Sequence, residues 1–254
     1  MSSEFNPKTP AINFHPRQWI PLIAATILFI FWAIPLADDL IVAVDEGLFF
    51  LLNGTLEWHP AWMSVWAFAN HRIFDVVMGM TYLGFTLFYC FSASRNVAVH
   101  RVAELVILGL VLLGSRFVIG QILDLVNYHR VSPSRALEPA IMLNEAFPAY
   151  KIKDGSNSSF PGDHALVSIF LLLYFVARAP RAYALGALML AIIACVPRLV
   201  GGAHWLTDIV VGSFFFAVLA WATVERSGAY DWLVQQMKRL THPPTVWLHG
   251  FLRR

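Results

Sequence analysis

Charge is what this chain has least of. Only 13% of its 254 residues are Asp, Glu, Lys or Arg, where soluble domains carry about 25%. With 58% apolar and 14% aromatic residues beside that deficit, there are too few polar groups to cover an ordinary soluble fold. The net charge of +2 is too small to mark a partner of nucleic acid. Cysteine is nearly absent. Cys90 and Cys195 each sit near the end of an apolar run, with no CxxC pair and no zinc ligand set, so they read as inert packing residues that leave the redox compartment open. No dense carboxylate cluster appears, so neither a metal nor another cofactor is required. No internal repeat or second domain is visible.

Apolar runs are what the chain has instead, at lengths near the roughly 20 residues that cross a bilayer. The first, WIPLIAATILFIFWAIPL (Trp19 to Leu36), is longer than the apolar core of a signal peptide and lacks a clear small-x-small cleavage site, so it reads as an uncleaved helix. A wetter segment follows, with Asp38, Asp39, Asp45, Glu46 and Trp58. Its apolar patch, Leu48 to Leu52, is expected in the interface. Further spans are Ile73 to Phe91, Val102 to Leu123, His164 to Val176, Ala182 to Val196 and Trp205 to Val224. The longest polar stretch, about Asn127 to Asp163, separates the third from the fourth.

The expected fold is therefore all-α, a polytopic membrane protein with six transmembrane helices. Residues 1–18 form a cytoplasmic N-terminal segment, 19–228 the membrane domain, and 229–254 a cytoplasmic tail. That tail mixes Trp232, Leu233, Met237 and Trp247 with basic residues, as an amphipathic surface anchor does. Six spans put both termini and two turns on one side, with 11 Lys and Arg residues against six on the other. The excess makes the termini cytoplasmic, and the opposite face carries the chemistry.

Two segments on that outer face stand out. SFPGDH (159–164) places Asp163 and His164 where an apolar helix begins. PRLVGGAHWLTDIVVGS (197–213) holds Arg198, a Gly201–Gly202 reversal, and His204 four residues before Asp208. That spacing puts the imidazole and carboxylate on one helical face, where the acid can fix the tautomer and leave the other nitrogen nucleophilic. Arg198 offers a planar fork for phosphate oxygens. Two histidines, one carboxylate and several arginines suit phosphoryl transfer through a histidine. Taken singly, each group has a bland reading as an interfacial pair or a headgroup anchor. Ionisable groups converging at membrane depth favour function.

FPGDH together with Arg-x5-His-x3-Asp resembles the type 2 phosphatidic acid phosphatase (PAP2) superfamily of six-helix membrane lipid phosphatases. The likeness extends through NHRIFD (70–75) and HRVSPS (129–134). It implies His204 as the nucleophile that forms a phosphohistidine, Asp208 as its orienting group, His164 as general acid and Arg198 as a phosphate ligand. Gly162 and Asp163 stand where the family's second motif has serine and glycine; backbone N–H groups there can still cradle an anion. Asp163 either pairs with an arginine or positions an acceptor. The first motif, Lys-x6-Arg-Pro, is not intact, with Leu125 at the lysine position and Ser132 before Pro133. Arg130 and Arg135 are the available phosphate ligands there. Asn70, His71, Arg72 and Asp75 contact a headgroup or else cap and anchor the helix. Arg116 and Asp124, two turns apart, read as an intramembrane ion pair, and Lys151 and Lys153 as solvated.

The subgroup most similar to this chain implies a particular reaction: transfer of phosphate from undecaprenyl diphosphate to the 1-phosphate of lipid A. It also implies the inner membrane of a Gram-negative cell and a periplasm-facing site. The rivals are a lipid-diphosphate phosphatase with water as acceptor, a non-catalytic scaffold or channel, and a vanadium-dependent haloperoxidase, which the six spans disfavour.

Overall fold

The computed structural model describes residues 19–35, 38–226 and 228–241. These fold into α1 (Ile20–Ala33), α2 (Asp38–Asn53) with a 3-10 turn (Gly54–Glu57), α3 (Pro60–Ala69), α4 (Arg72–Phe91) and α5 (Arg95–Leu125). A long connection then carries two single turns, α6 (Pro133–Ala136) and α7 (Leu143–Ala146). It leads to α8 (Asp163–Arg178), α9 (Arg181–Val200), a π-helical turn (Asp208–Ser213), α10 (Phe214–Arg226) and α11 (Gly228–Thr241). The only strand-like pairing among the described residues is an isolated antiparallel bridge, His71 to Ile152.

Local chemistry sets the helix starts. His59 and His71 each cap the helix that follows: His59 Nδ1 accepts from the Ala61 amide at 3.1 Å, and His71 Nδ1 from the Ile73 amide at 3.0 Å. Pro60 occupies the first position of α3, where a missing N–H costs nothing. Pro133 similarly opens α6, and Pro180 precedes α9 as its N-cap.

The main core lies between α4, α5, α8, α10 and α11. Tyr89, Leu108, Phe170, Tyr174, Phe175 and Trp221 are buried there, with Tyr89 edge-on to both Tyr174 and Phe175. At one end of this core Glu104 is buried and accepts from Tyr174 Oη at 3.2 Å and from Tyr230 Oη at 3.1 Å. That carboxylate ties α11 to α5 and α8. The antiparallel pairs α4–α5 and α8–α9 gather the other helix ends at the opposite pole: the starts of α4, α8 and the π turn, and the ends of α5 and α9. The polar residues collect at that pole.

Outward faces are apolar. Val76, Met80, Leu83, Phe88, Leu110, Leu113 and Phe117 are exposed, and only 17% of the apolar window of α4 is buried. Lipid is the solvent that such a surface fits.

Three described helices, α4, α5 and α9, are long and apolar enough to cross a membrane; a fourth span exists if α1 and α2, bent by 96°, are taken together. The expected six spans reduce to these by length alone. α1 has 14 residues and α8 has 16, about 21 and 24 Å at 1.5 Å per residue. The patch at Leu48 to Leu52 belongs to a longer helix, α2, which buries Asp45, Phe49 and Asn53. Of the terminal segments, residues 1–18 and 242–254 lie outside the described residues. Within α11, Tyr230 and Val234 are buried while Trp232 and Leu233 are exposed.

Candidate active site

Arg198 organises the polar pole. It lies in the last turn of α9, just after Pro197, and is 1% exposed. Its Nη2 donates to Asp75 Oδ1. Nη1 lies 3.1 Å from Asn70 Oδ1, 3.4 Å from the Asn70 carbonyl and 3.5 Å from the Lys153 carbonyl. Nε is buried with no partner among the described residues. Asn70 is itself fixed: its amide donates to the Pro197 and Trp66 carbonyls at 2.8 and 3.0 Å. One side chain thus braces the end of α9 against the α3–α4 junction.

Asp75, in the first turn of α4, also receives His164. His164 Nε2 stands 3.0 Å from Asp75 Oδ1, and its Nδ1 is buried without a partner among the described residues. A carboxylate on one ring nitrogen holds that nitrogen's proton and fixes the ring plane, leaving the other nitrogen to act.

His204 occupies the turn between α9 and the π helix, 8% exposed. Its Nδ1 lies 2.7 Å from the Ser159 carbonyl. A carbonyl only accepts, so Nδ1 carries the proton and Nε2 holds the free lone pair. Asp208 Oδ2 is 3.7 Å from Nδ1, an ion-pair distance too long for a hydrogen bond. That oxygen accepts instead from the Trp205 amide at 2.9 Å. The expected hydrogen-bonded partnership of His204 and Asp208 is therefore divided: the Ser159 carbonyl sets the tautomer, and Asp208 supplies charge beneath the ring.

Asp208 belongs to a second, buried cluster. Arg130 Nη1 donates to Asp208 Oδ1 at 2.7 Å and to Thr207 Oγ1 at 2.8 Å, and Nη2 donates to Asp45 Oδ2 at 2.7 Å. Asp45 is 1% and Asp208 0% exposed. Burial works against the Arg130 charge, yet the two carboxylates outweigh it and hold the guanidinium above its ordinary pKa. The Trp205 ring lies 4.9 Å beneath it. Arg130, expected as a phosphate ligand, is thus bound to two carboxylates and a hydroxyl. Arg135, the alternative, is exposed and donates to Asn157 Oδ1 at 2.6 Å. Arg72 is exposed at the start of α4.

Gly162 joins the two histidines. It caps α8 two residues before His164, and a Cβ placed on it would stand 3.6 Å from His204 Nδ1. Its carbonyl lies 2.9 Å from Ser213 Oγ. That link ties the start of α8 to the π turn, a geometry that clusters at functional sites. Gly212 in this turn has no room for a side chain, because a Cβ would fall 2.3 Å from the Phe160 ring. Gly202 supplies the reversal between α9 and His204 with φ of +72°.

Asp163 settles between its two expected roles. It pairs with Arg116 of α5, so the predicted Arg116–Asp124 pair is not the one formed. The reason is reach: Asp124 lies two helical turns from Arg116, whereas the start of α8 brings the Asp163 carboxylate directly against it. Asp75, Asp163 and His164 line a cavity of about 210 Å³ together with Met78, Tyr82 and Val167.

The structure therefore brings together Arg198, His164, His204, Asp208 and Gly162, with Arg130 and Asp163 at their flanks. Sequence reasoning missed the roles of Asp45, Asn70 and Asp75. Asp45 was visible only as one acid of a wetter segment, and NHRIFD already held the other two.

The PAP2 superfamily profile matches residues 104–229, a stretch that contains Arg130, His164, Arg198, His204 and Asp208. The chain is also 31% identical over 196 residues to lipid A 1-diphosphate synthase of Escherichia coli (strain K12), covering 75% of this chain and 79% of that protein. No solved structure matches it. The chain belongs to the PAP2 superfamily of phosphoryl-transfer enzymes.

Proposed function

We propose that the chain transfers a phosphoryl group from undecaprenyl diphosphate to the 1-phosphate of lipid A. The products are lipid A 1-diphosphate and undecaprenyl phosphate. The observation that carries the chemistry is His204 with its Nδ1 proton bound to the Ser159 carbonyl. The choice of lipid rests on the similarity to lipid A 1-diphosphate synthase.

His204 Nε2 attacks the terminal phosphorus of the donor. The bond from that phosphorus to the bridging oxygen breaks, and the oxygen leaves with undecaprenyl phosphate. His164, held at Nε2 by Asp75, protonates the leaving oxygen from Nδ1 and returns to neutral. The imidazolium charge that grows on His204 is balanced by Asp208 at 3.7 Å. Arg198 Nε, a buried donor without a partner among the described residues, binds a phosphoryl oxygen. An unmet buried donor costs about 1–3 kcal/mol, which this contact recovers. In the second step neutral His164 takes the proton from the acceptor phosphate, whose oxygen attacks the phosphohistidine. Arg130 acts indirectly, by keeping Asp208 ionised and in place.

The active chain crosses the inner membrane with six segments and opens this pole to the periplasm. The short α8 and the π–α10 helix then serve as spans that begin below the bilayer surface, at the depth of a lipid-borne phosphate.

Trapping tests the intermediate. Brief incubation with donor labelled on its terminal phosphate, followed by alkaline quench, is expected to leave acid-labile label on the wild-type chain and none on His204→Gln. Equal label on His204→Gln rules out this nucleophile.

A further inference from the structure

A second cavity, of about 360 Å³, lies on the other side of the start of α4. That size falls within the roughly 300–1,000 Å³ of ligand sites. Its walls are Ala67 and Phe68 of α3, His71, and Phe147, Tyr150 and Ile152 of the long connection. Apart from His71 and Ser64 at its edge, the lining is apolar or aromatic, and no catalytic group described above enters it.

Two features connect it to the site. His71 and Ile152 form the antiparallel bridge, and the residues beside them, Asn70 and Lys153, both present carbonyls to Arg198. The cavity wall is thus one residue from the ligands of the phosphate-binding arginine. Moreover, the bridge is flanked by exposed cations: Arg72 follows His71, and Lys151 and Lys153 bracket Ile152. None of the three forms an ion pair among the described residues.

Arg72 and Lys151 each fall between two lining residues, and an apolar pocket with exposed cations at its edge fits a lipid with an anionic head. The two cavities also lie on opposite sides of the first turn of α4, one holding His164 and the other His71. A transfer between two lipids needs two such places. We infer that this cavity takes an acyl chain of the phosphorylated acceptor lipid, with Arg72 and Lys151 on its phosphates, while the donor enters beside His164. The inference rests on the transferase reading for the identity of the acceptor.

The test measures binding and turnover separately on the full chain in detergent, with lipid A and undecaprenyl diphosphate as probes. Ser64→Phe fills the cavity edge from an exposed position, and Lys151→Glu reverses an edge charge without touching a buried side chain. Both variants are expected to weaken lipid A binding at least tenfold, with donor binding changed less than twofold. The charge variant also loses the salt dependence of lipid A binding. Equal weakening of both lipids, or lipid A binding as tight as wild type in both variants, overturns the inference. If label moves to lipid A while binding is insensitive to these variants, the transferase stands and this site falls. If lipid A binding follows the variants but label is released only as free phosphate, the site stands and the transferase falls.

Discussion

Replacing Arg130 separates a brace from a ligand. In the structure its guanidinium lies between Asp45 and Asp208, both essentially unexposed, and also reaches Thr207. Arg130→Leu leaves two buried carboxylates facing each other without a cation. Removing one partner of a buried ion pair costs about 3–5 kcal/mol. For a chain of this size, about 2–4 °C per kcal/mol gives a loss of roughly 6–20 °C in the melting temperature, read by gel filtration of heated samples in detergent. Thr207 also binds Asp45, through its amide at 3.0 Å, so α2 should loosen from the π turn in the same transition. Adding Asp45→Asn to Arg130→Leu removes one stranded charge. The double variant should therefore melt higher than Arg130→Leu alone, by a coupling of about 0.5–3 kcal/mol. A fully stable Arg130→Leu with only a raised KM for donor would exclude the bracing role and return Arg130 to that of phosphate ligand.

Asp75→Asn should lower kcat about 10²–10⁴-fold, the usual contribution of a general acid, because His164 loses its charged partner; an unchanged kcat would show that Asp75 only anchors Arg198. Gly212→Ala forces a methyl into the Phe160 ring and should destabilise by about 1–3 kcal/mol, seen as a lower melting temperature. Gly162→Ser, by contrast, meets no atom closer to its Cβ than 3.4 Å and should fold with wild-type stability. Tyr230→Phe removes a hydrogen bond to buried Glu104 and should cost about 1.5–3 kcal/mol, with faster proteolysis of α11 as the measured sign.

The legible parts of this molecule were those written in local pattern. Apolar length located α4 and α8 nearly to their ends but fell short of the start of α5 and the end of α9, and the spacing of Arg198, His204 and Asp208 pointed to the candidate site. The rest depends on contacts that no spacing encodes. Asp45 meets Arg130 across 85 residues, so an acid in a segment that read as wet is in fact buried against a distant arginine. The Ser159 carbonyl, which sets the His204 tautomer, is a backbone atom and leaves no residue signature. Arg116 was matched to Asp124 along one helix, while α8 presents Asp163 across the groove. Reading His204 and Asp208 as one helical face failed for a related reason: His204 lies in the turn ahead of the π helix, so the regular i to i+4 geometry does not apply.

The central claim is that phosphate passes from one lipid to another. Purified protein in detergent, given undecaprenyl diphosphate labelled on its terminal phosphate, is to be followed with and without lipid A. Label is expected on lipid A when lipid A is present, with little free phosphate. Label recovered only as free phosphate, whatever lipid acceptor is supplied, would contradict it and make the chain a lipid-diphosphate phosphatase.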